Sequence, residues 1–222
     1  MLKIKGIIFD LDGTLLDTLA DIAAAMNLAL QSAGLPVQPV EKYRYFVGDG
    51  VENMAQRALG NNPCGNEILS NLVTSFQNNY RTGWHNQTQL YPGIESLLDE
   101  LYEYDIPIAI LSNKPHEFTV EMVTEYLSPW EFEPVLGAGH LYAHKPEPDG
   151  ALAISRLFRT LPEHIALVGD SNVDVKTALN ANMIPIGVSW GFRSVTELRE
   201  NGAKIILDQP QDLLKQFSPS AE

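Results

Sequence analysis

Asp10 and Asp12 stand two positions apart, directly after the apolar run Ile7-Ile8-Phe9, and Gly13 and Thr14 follow them. Three more apolar runs lead into polar residues in the same way. Ser112, Asn113 and Lys114 follow Ile108-Ala109-Ile110-Leu111. Lys145-Pro146 lies in the loop that follows Val135-Leu136-Gly137. Gly169, Asp170 and Ser171 follow Ala166-Leu167-Val168, with Asp174 slightly further on. These groups supply carboxylates, hydroxyls, an amine and exposed backbone amides. Phosphoryl transfer through a covalent aspartyl phosphate needs that set.

A carboxylate that attacks a phosphate dianion meets like charge, and a divalent cation bound to both removes the repulsion. Mg²⁺ is hard and takes oxygen ligands. The expected protein ligands are the side chains of Asp10 and Asp170 with the backbone carbonyl of Asp12. The Asp12 side chain then stays free to protonate a leaving oxygen and to deprotonate water. Gly13 permits a tight turn and a close approach of backbone to phosphate. Ser112, with Asn113 beside it, belongs to the phosphate-binding set, and Lys145 supplies positive charge to the transition state. Asp174 and Ser171 are expected behind these groups, Asp174 holding water or Lys145. Each has a plainer reading. Asp-Leu-Asp-Gly is also turn chemistry, Lys145 also fits an exposed loop, and Asp174 also suits the first turn of a helix.

Positioning such groups together takes a particular sheet. The runs IKGIIF, IPIAIL, HIALVG, MIPIGV and AKIIL are almost continuously apolar and β-branched, as parallel strands covered on both faces are. Helical spacing recurs between most of them: Ile94–Tyr104, Pro115–Leu127 and Asn172–Ala181. Ser194-Val-Thr-Glu197 has the spacing of a capping box. The alternation predicts an α/β, Rossmann-like, doubly wound parallel sheet. Ligands of such sheets bind beyond the carboxyl ends of the strands, where the four polar groups should meet.

One stretch breaks the alternation. From Thr18 to Leu90 the pattern is helical, without a convincing strand. Leu19, Ile22, Ala23, Met26 and Leu30 form one stripe closed by Gly34. Val51–Leu59 is closed by Gly60, and Ile68–Tyr80 follows. This predicts a helical cap at 18–90 inserted into a core of 1–17 and 91–222. Selectivity between esters should come from the cap. Arg44 and the Gly48-Asp49-Gly50 turn are the expected substrate contacts, with Arg81 and His85 behind them. Ser218–Glu222 should be frayed.

FDLDGTLLDT resembles the first signature of the haloacid dehalogenase superfamily. LSN, KPEPDG and VGDSNVD resemble its second, third and fourth signatures, in order. RYFVGDGVENMAQRAL and LSNKP resemble the phosphoglycolate phosphatase branch. The resemblance implies a Rossmann-like core, a helical cap after the first signature, Mg²⁺ and an aspartyl-phosphate intermediate. It implies Asp10 as nucleophile, Asp12 as acid/base, Asp170 as metal ligand, and Ser112 and Lys145 on the phosphate. His140 and His144, in GAGHLYAHKPEP, depart from what the family leads one to expect in this loop.

The 222-residue chain has a formal net charge of −13 and an apolar fraction of 45%. The acidity disfavours nucleic acid and anionic membranes as partners, so the expected partner is a small phosphate ester, bound by a monomer or homodimer. Cys64 is the single cysteine, which leaves no intrachain disulfide and no thiolate zinc cluster. MLKIKGIIFDLDG lacks the pattern of a signal peptide, and no apolar stretch approaches a membrane span. A reducing cytoplasm is the simplest setting.

Competing functions share the core constellation. A phosphosugar mutase would pass the phosphoryl group to a sugar hydroxyl, and a pyrophosphatase would release phosphate from phosphate. A receiver-like or degenerate phosphate-binding module would not turn over. In a receiver, however, the nucleophile follows a later strand. Here the paired acids follow the first one.

Overall fold

The computed structural model describes residues 3–60, 66–139 and 141–216. Cys64, His140 and Ser218–Glu222 lie outside the described residues. In chain order the strands are β1 Gly6–Phe9, β2 Leu16–Asp17, β3 Gln89–Leu90, β4 Ile108–Pro115, β5 Phe132–Ala138, β6 Ile165–Gly169, β7 Ile184–Val188 and β8 Ile205–Leu207. The helices are α1 Leu19–Ser32, α2 Val40–Phe46, α3 Val51–Leu59, α4 Asn66–Gly83, α5 Ile94–Glu103, α6 His116–Tyr126, α7 Asp149–Leu157, α8 Asn172–Asn180 and α9 Val195–Glu200.

Six strands form one sheet in the order β5-β4-β1-β6-β7-β8, and every pairing in it is parallel. The period of two along β1 explains how both faces are used. Ile7 and Phe9 join a cluster with Leu97, Leu98 and Leu101 of α5 and Met122 of α6. Ile8 points the other way, to Ala151 and Ile154 of α7 and Ala178 of α8. All four residues of β1 are buried. With no water on either face, an uninterrupted apolar run is the only composition that fits.

Register brings the polar groups together. Phe9 aligns with Ile110 of β4 and with Val168 of β6. Asp10, Ser112 and Asp170 therefore come within two residues of one common level, at the carboxyl end of three adjacent strands.

The stretch after β1 is helical, as its periodicity predicts. α1, α3 and α4 share an apolar cluster that includes Leu19, Met26, Leu30, Met54, Ala58, Leu72 and Phe76. Phe118 of α6 and Phe192 join this cluster from the sheet side. Two short strands bound the stretch, which the sequence pattern does not reveal. β2 and β3 pair antiparallel, Leu16 with Leu90 and Asp17 with Gln89. The return is further pinned by Asp21, 2% exposed. Its carboxylate accepts from the Gln87 N–H, the Thr88 N–H and the Thr88 hydroxyl, all at 2.9 Å. A buried carboxylate with three donors is satisfied where an unpaired one would be costly.

At Ser194 only half of the anticipated capping box forms: its hydroxyl accepts from the Glu197 N–H at 3.2 Å. The complete box caps α8, where Ser171 and Asp174 satisfy one another's backbone amides. Among the described residues no helix is long and apolar enough to cross a membrane.

Candidate active site

Above the carboxyl ends of β1, β4 and β6 lies a chain of buried charges. Lys145 Nζ is 2.9 Å from Asp10 Oδ1 and 2.6 Å from Asp174 Oδ1. Asp10 Oδ1 also accepts from the Leu11 N–H at 2.8 Å. Asp174 Oδ2 accepts from the Ser171 N–H at 3.1 Å and the Ser171 hydroxyl at 2.6 Å. Both Asp174 oxygens are thus engaged, one by the lysine and one by the helix cap. Asp170 Oδ2 accepts from the Phe192 N–H at 2.6 Å.

Crowding sets the protonation tendencies. Burial, reinforced by Asp174 and Asp12 and opposed by Lys145, pushes the Asp10 carboxyl up to about 7. Asp170 is raised well above the ordinary carboxylate range by burial first, then by Asp174 and Asp10, against the Phe192 N–H. Lys145 is desolvated by burial, yet Asp10 and Asp174 more than offset this and hold its ammonium. Negative charge is in excess here, and a cation would relieve it.

Asp10, Asp170 and Asp174 each present an oxygen within 4.8 Å of the others, and all three are buried. This all-oxygen donor set suits a hard divalent cation. Two glycines let the backbone close on Asp170. Gly13 adopts φ +84° and packs against the Asp170 carboxylate, where a Cβ would collide. A Cβ at Gly191 would strike the Asp170 side chain and the Gly13 carbonyl. The Gly13 N–H donates to the Leu16 carbonyl at 2.8 Å. Gly13 therefore closes the turn as expected, but its own amide is spent there, not offered to phosphate.

The second aspartate faces elsewhere. Lys114 Nζ lies 3.0 Å and 3.1 Å from the Asp12 oxygens and 2.8 Å from the Tyr80 hydroxyl on α4. Burial works against the Lys114 ammonium, but Asp12 and the Tyr80 hydroxyl outweigh it and raise its pKa. Burial likewise pushes Tyr80 up to about 12, so its hydroxyl keeps its proton. The sequence shows Lys114 at the end of a strand but not its partners, which come from β1 and α4.

Ser112 is 4% exposed and lines the cavity. Asn113 lines it too, but its carboxamide is committed to the backbone. It accepts from the Lys145 N–H at 2.8 Å and donates to the Lys145 carbonyl at 2.9 Å and the Gly48 carbonyl at 3.0 Å. Its side chain therefore positions neighbours instead of binding phosphate directly.

The cavity has about 60 Å³ open to the centre of a water molecule. At about 10–15 Å³ per water by this measure, that is room for a few water molecules or a group of similar size. Gly48 and Gly50 line it. Arg44 does not. It is exposed on α2, and Nη1 donates to the Gly191 carbonyl at 3.1 Å. A helix of seven residues has too little apolar pattern to reveal which side faces the sheet. Arg193 takes the cavity-lining place instead, donating to the Val47 carbonyl at 3.1 Å. Arg81 is paired with Glu117 at 3.0 Å on the surface, and His85 packs edge-on to Trp84. His144 lies near Gly50.

A family model described as haloacid dehalogenase-like hydrolase matches residues 7–188. The phosphoglycolate phosphatase of Vibrio parahaemolyticus is 30% identical over 98% of both chains. Phosphoglycolate phosphatase 1 of Pseudomonas aeruginosa is 30% identical over 97% of this chain and 80% of its own length. The crystal structure of a predicted phosphoglycolate phosphatase from Haemophilus somnus superposes with a TM-score of 0.90 at 27% identity, covering 97% of this chain and 99% of that one. The range 7–188 takes in the helical insert and the positions of the charge chain, and by these likenesses the protein belongs to the haloacid dehalogenase-like hydrolases.

Proposed function

We propose that the protein is a Mg²⁺-dependent phosphatase that hydrolyses a small phosphate monoester through an aspartyl phosphate on Asp10. The observation that carries this reading is the placement of Asp10: buried at the carboxyl end of the central strand, 2.9 Å from Lys145 Nζ and beside Asp170.

Mg²⁺, when bound, would be held by Asp10 and Asp170 with the Asp12 carbonyl, and would supply Lewis-acid stabilisation of the phosphoryl charge. The chain's own groups do the rest. Asp10 attacks phosphorus, a bond forms between its carboxylate oxygen and phosphorus, and the bond from phosphorus to the ester oxygen breaks. Asp12 gives that leaving oxygen its proton. Asp12 then takes a proton from water, whose oxygen attacks phosphorus and releases inorganic phosphate and free Asp10. Lys145 and Ser112 offset charge on the phosphoryl oxygens. Asp174 and Asn113 fix Lys145, and Lys114 orients Asp12.

Residues 1–17 and 91–222 form the core in this reading, and 18–90 the cap that covers the leaving group and excludes water. The relatives are named for phosphoglycolate, which makes it the first ester to assay. The test is release of inorganic phosphate with Mg²⁺, together with a mass increment of one phosphoryl group on a peptide containing Asp10 after rapid acid quench. Turnover with no label on Asp10 would remove the covalent route. Transfer to an added sugar without phosphate release would make the protein a mutase.

A further inference from the structure

The cavity has two unlike halves. Its floor, from the sheet, carries the charges. Its roof, from the insert, carries none among the described residues: the side chains there are Ile22, Val47, Val51, Met54, Phe76 and Tyr80, with Gly48 and Gly50 between them. Phe192 adds another apolar wall from the sheet side.

Resting on the phosphatase reading, we infer that the alcohol portion of the substrate is compact and uncharged, alkyl or arylalkyl, and carries no second anion. The phosphoryl group occupies the floor beside Asp10, so the rest of the ester projects against the roof. A carboxylate there would lose its water and gain no cation from the insert. Among the described residues, the two cations that line the cavity are already engaged. Lys114 holds both Asp12 oxygens and the Tyr80 hydroxyl. Arg193 donates to the Val47 carbonyl, lies over the Tyr45 ring at 5.2 Å and faces Glu197 at 3.9 Å. Arg44, the cation that would otherwise suit an anionic ester, is turned to the Gly191 carbonyl. The amino end of α3 lies beside Gly50, but Glu52 stands in its first turn, and Arg57 at the other end of the helix is spent on both oxygens of Asp49. An apolar alcohol loses nothing by desolvation in the same place and gains from burial.

The experiment compares n-propyl phosphate, benzyl phosphate and phosphoglycolate. All three are esters of aliphatic alcohols, so intrinsic leaving-group differences are small beside the effect sought. With Mg²⁺ present, kcat/KM for the better uncharged ester should exceed that for phosphoglycolate by about tenfold or more, the scale of discrimination an apolar pocket achieves. Phosphoglycolate turned over as well or better overturns the inference and leaves the phosphatase reading standing. Release of phosphate from none of the three overturns the inference, and failure on the generic ester p-nitrophenyl phosphate as well removes the phosphatase reading. Binding is read separately with the inert analogues n-propylphosphonate and phosphonoacetate. At equal concentration the former should raise Tm more, and the reverse order overturns the inference. Val51 is half-buried at the cavity edge, where a lysine stem can lie along the wall. Val51→Lys should shift the ratio toward phosphoglycolate by about tenfold. An unmoved ratio in the folded variant would place the alcohol elsewhere and likewise overturn it.

Discussion

The carboxamide of Asn113 grips the backbone of Lys145 from both sides, its oxygen accepting from the N–H at 2.8 Å and its nitrogen donating to the carbonyl at 2.9 Å. The lysine that reaches Asp10 is thus placed by a residue on the neighbouring strand β4. The same nitrogen also holds the Gly48 carbonyl of the insert. Asn113→Ala should leave the charges in place but loosen their aim. We expect kcat/KM to fall roughly 10²-fold, as for a displacement of about 1 Å, with the protein still folded by circular dichroism. Undiminished kcat/KM would mean that the ion pairs alone locate Lys145.

Asp10→Asn removes the nucleophile and should lower kcat by roughly 10³-fold or more. Its effect on stability has the opposite sign. The unfolded carboxyl titrates near 3.8 and the buried one near 7. As pH rises from about 4 to about 7 the folded state holds a proton that the unfolded state has lost. Asp10 therefore costs stability progressively across that window, and the cost is complete above it. Asparagine carries no such cost. In EDTA, Tm of the variant minus Tm of the wild type should grow between pH 4 and 7 and then level off. A flat difference would show that burial does not raise this carboxyl.

For Asp12→Asn the expected signature is a dependence on leaving group. An aryl phosphate with an acidic phenol needs little protonation and should lose far less rate than an alkyl phosphate. Mg²⁺ affinity should change little, because the backbone carbonyl is retained. Equal losses for both esters would argue that Asp12 does not deliver the proton.

Chelation tests the cluster of aspartates. EDTA should abolish turnover and excess Mg²⁺ should restore it, while Ca²⁺ should bind with little turnover because its coordination is looser. Asp170→Ala should raise the Mg²⁺ concentration for half-maximal activity about tenfold or more. Saturation at the wild-type concentration would exclude Asp170 as a ligand.

Gly191→Ala should also damage this site, although residue 191 takes no part in the chemistry. A methyl there meets the Asp170 side chain and the Gly13 carbonyl, and overpacking of this kind costs about 1–3 kcal/mol. Lower Tm together with a raised Mg²⁺ requirement would identify the collision. A drop in Tm alone would mean that the backbone yields away from Asp170.

The strands that carry the chemistry were legible because burial on both faces leaves a continuous apolar run, and the polar residues that end each run stand out. β5 was harder to delineate. It is an edge strand, and Glu133, Pro134 and Gly137 interrupt its apolar pattern. Partners joined across the fold were hidden as well. Lys114 meets Asp12 and Tyr80 over sequence separations of 102 and 34 residues, and no local spacing encodes either pairing. The place of Arg44 is hidden for the same reason, since charge and proximity to a glycine turn do not say toward which surface a short helix points. Ser171 and Asp174 stand at the end of a legible strand, but the cap they form on α8, which also serves Lys145, is seen only in the fold.

The pairing of Leu16 with Leu90 and of Asp17 with Gln89 brings both ends of the helical stretch to one narrow gate. Whatever is spliced between these strands enters and leaves the sheet at the same point. A lineage can then lengthen, shorten or replace the roof while the charged floor keeps its coordinates. Substrate choice and bond-breaking machinery are free to diverge at separate rates, and chimaeras joined at residues 17 and 89 are the natural way to exchange one roof for another.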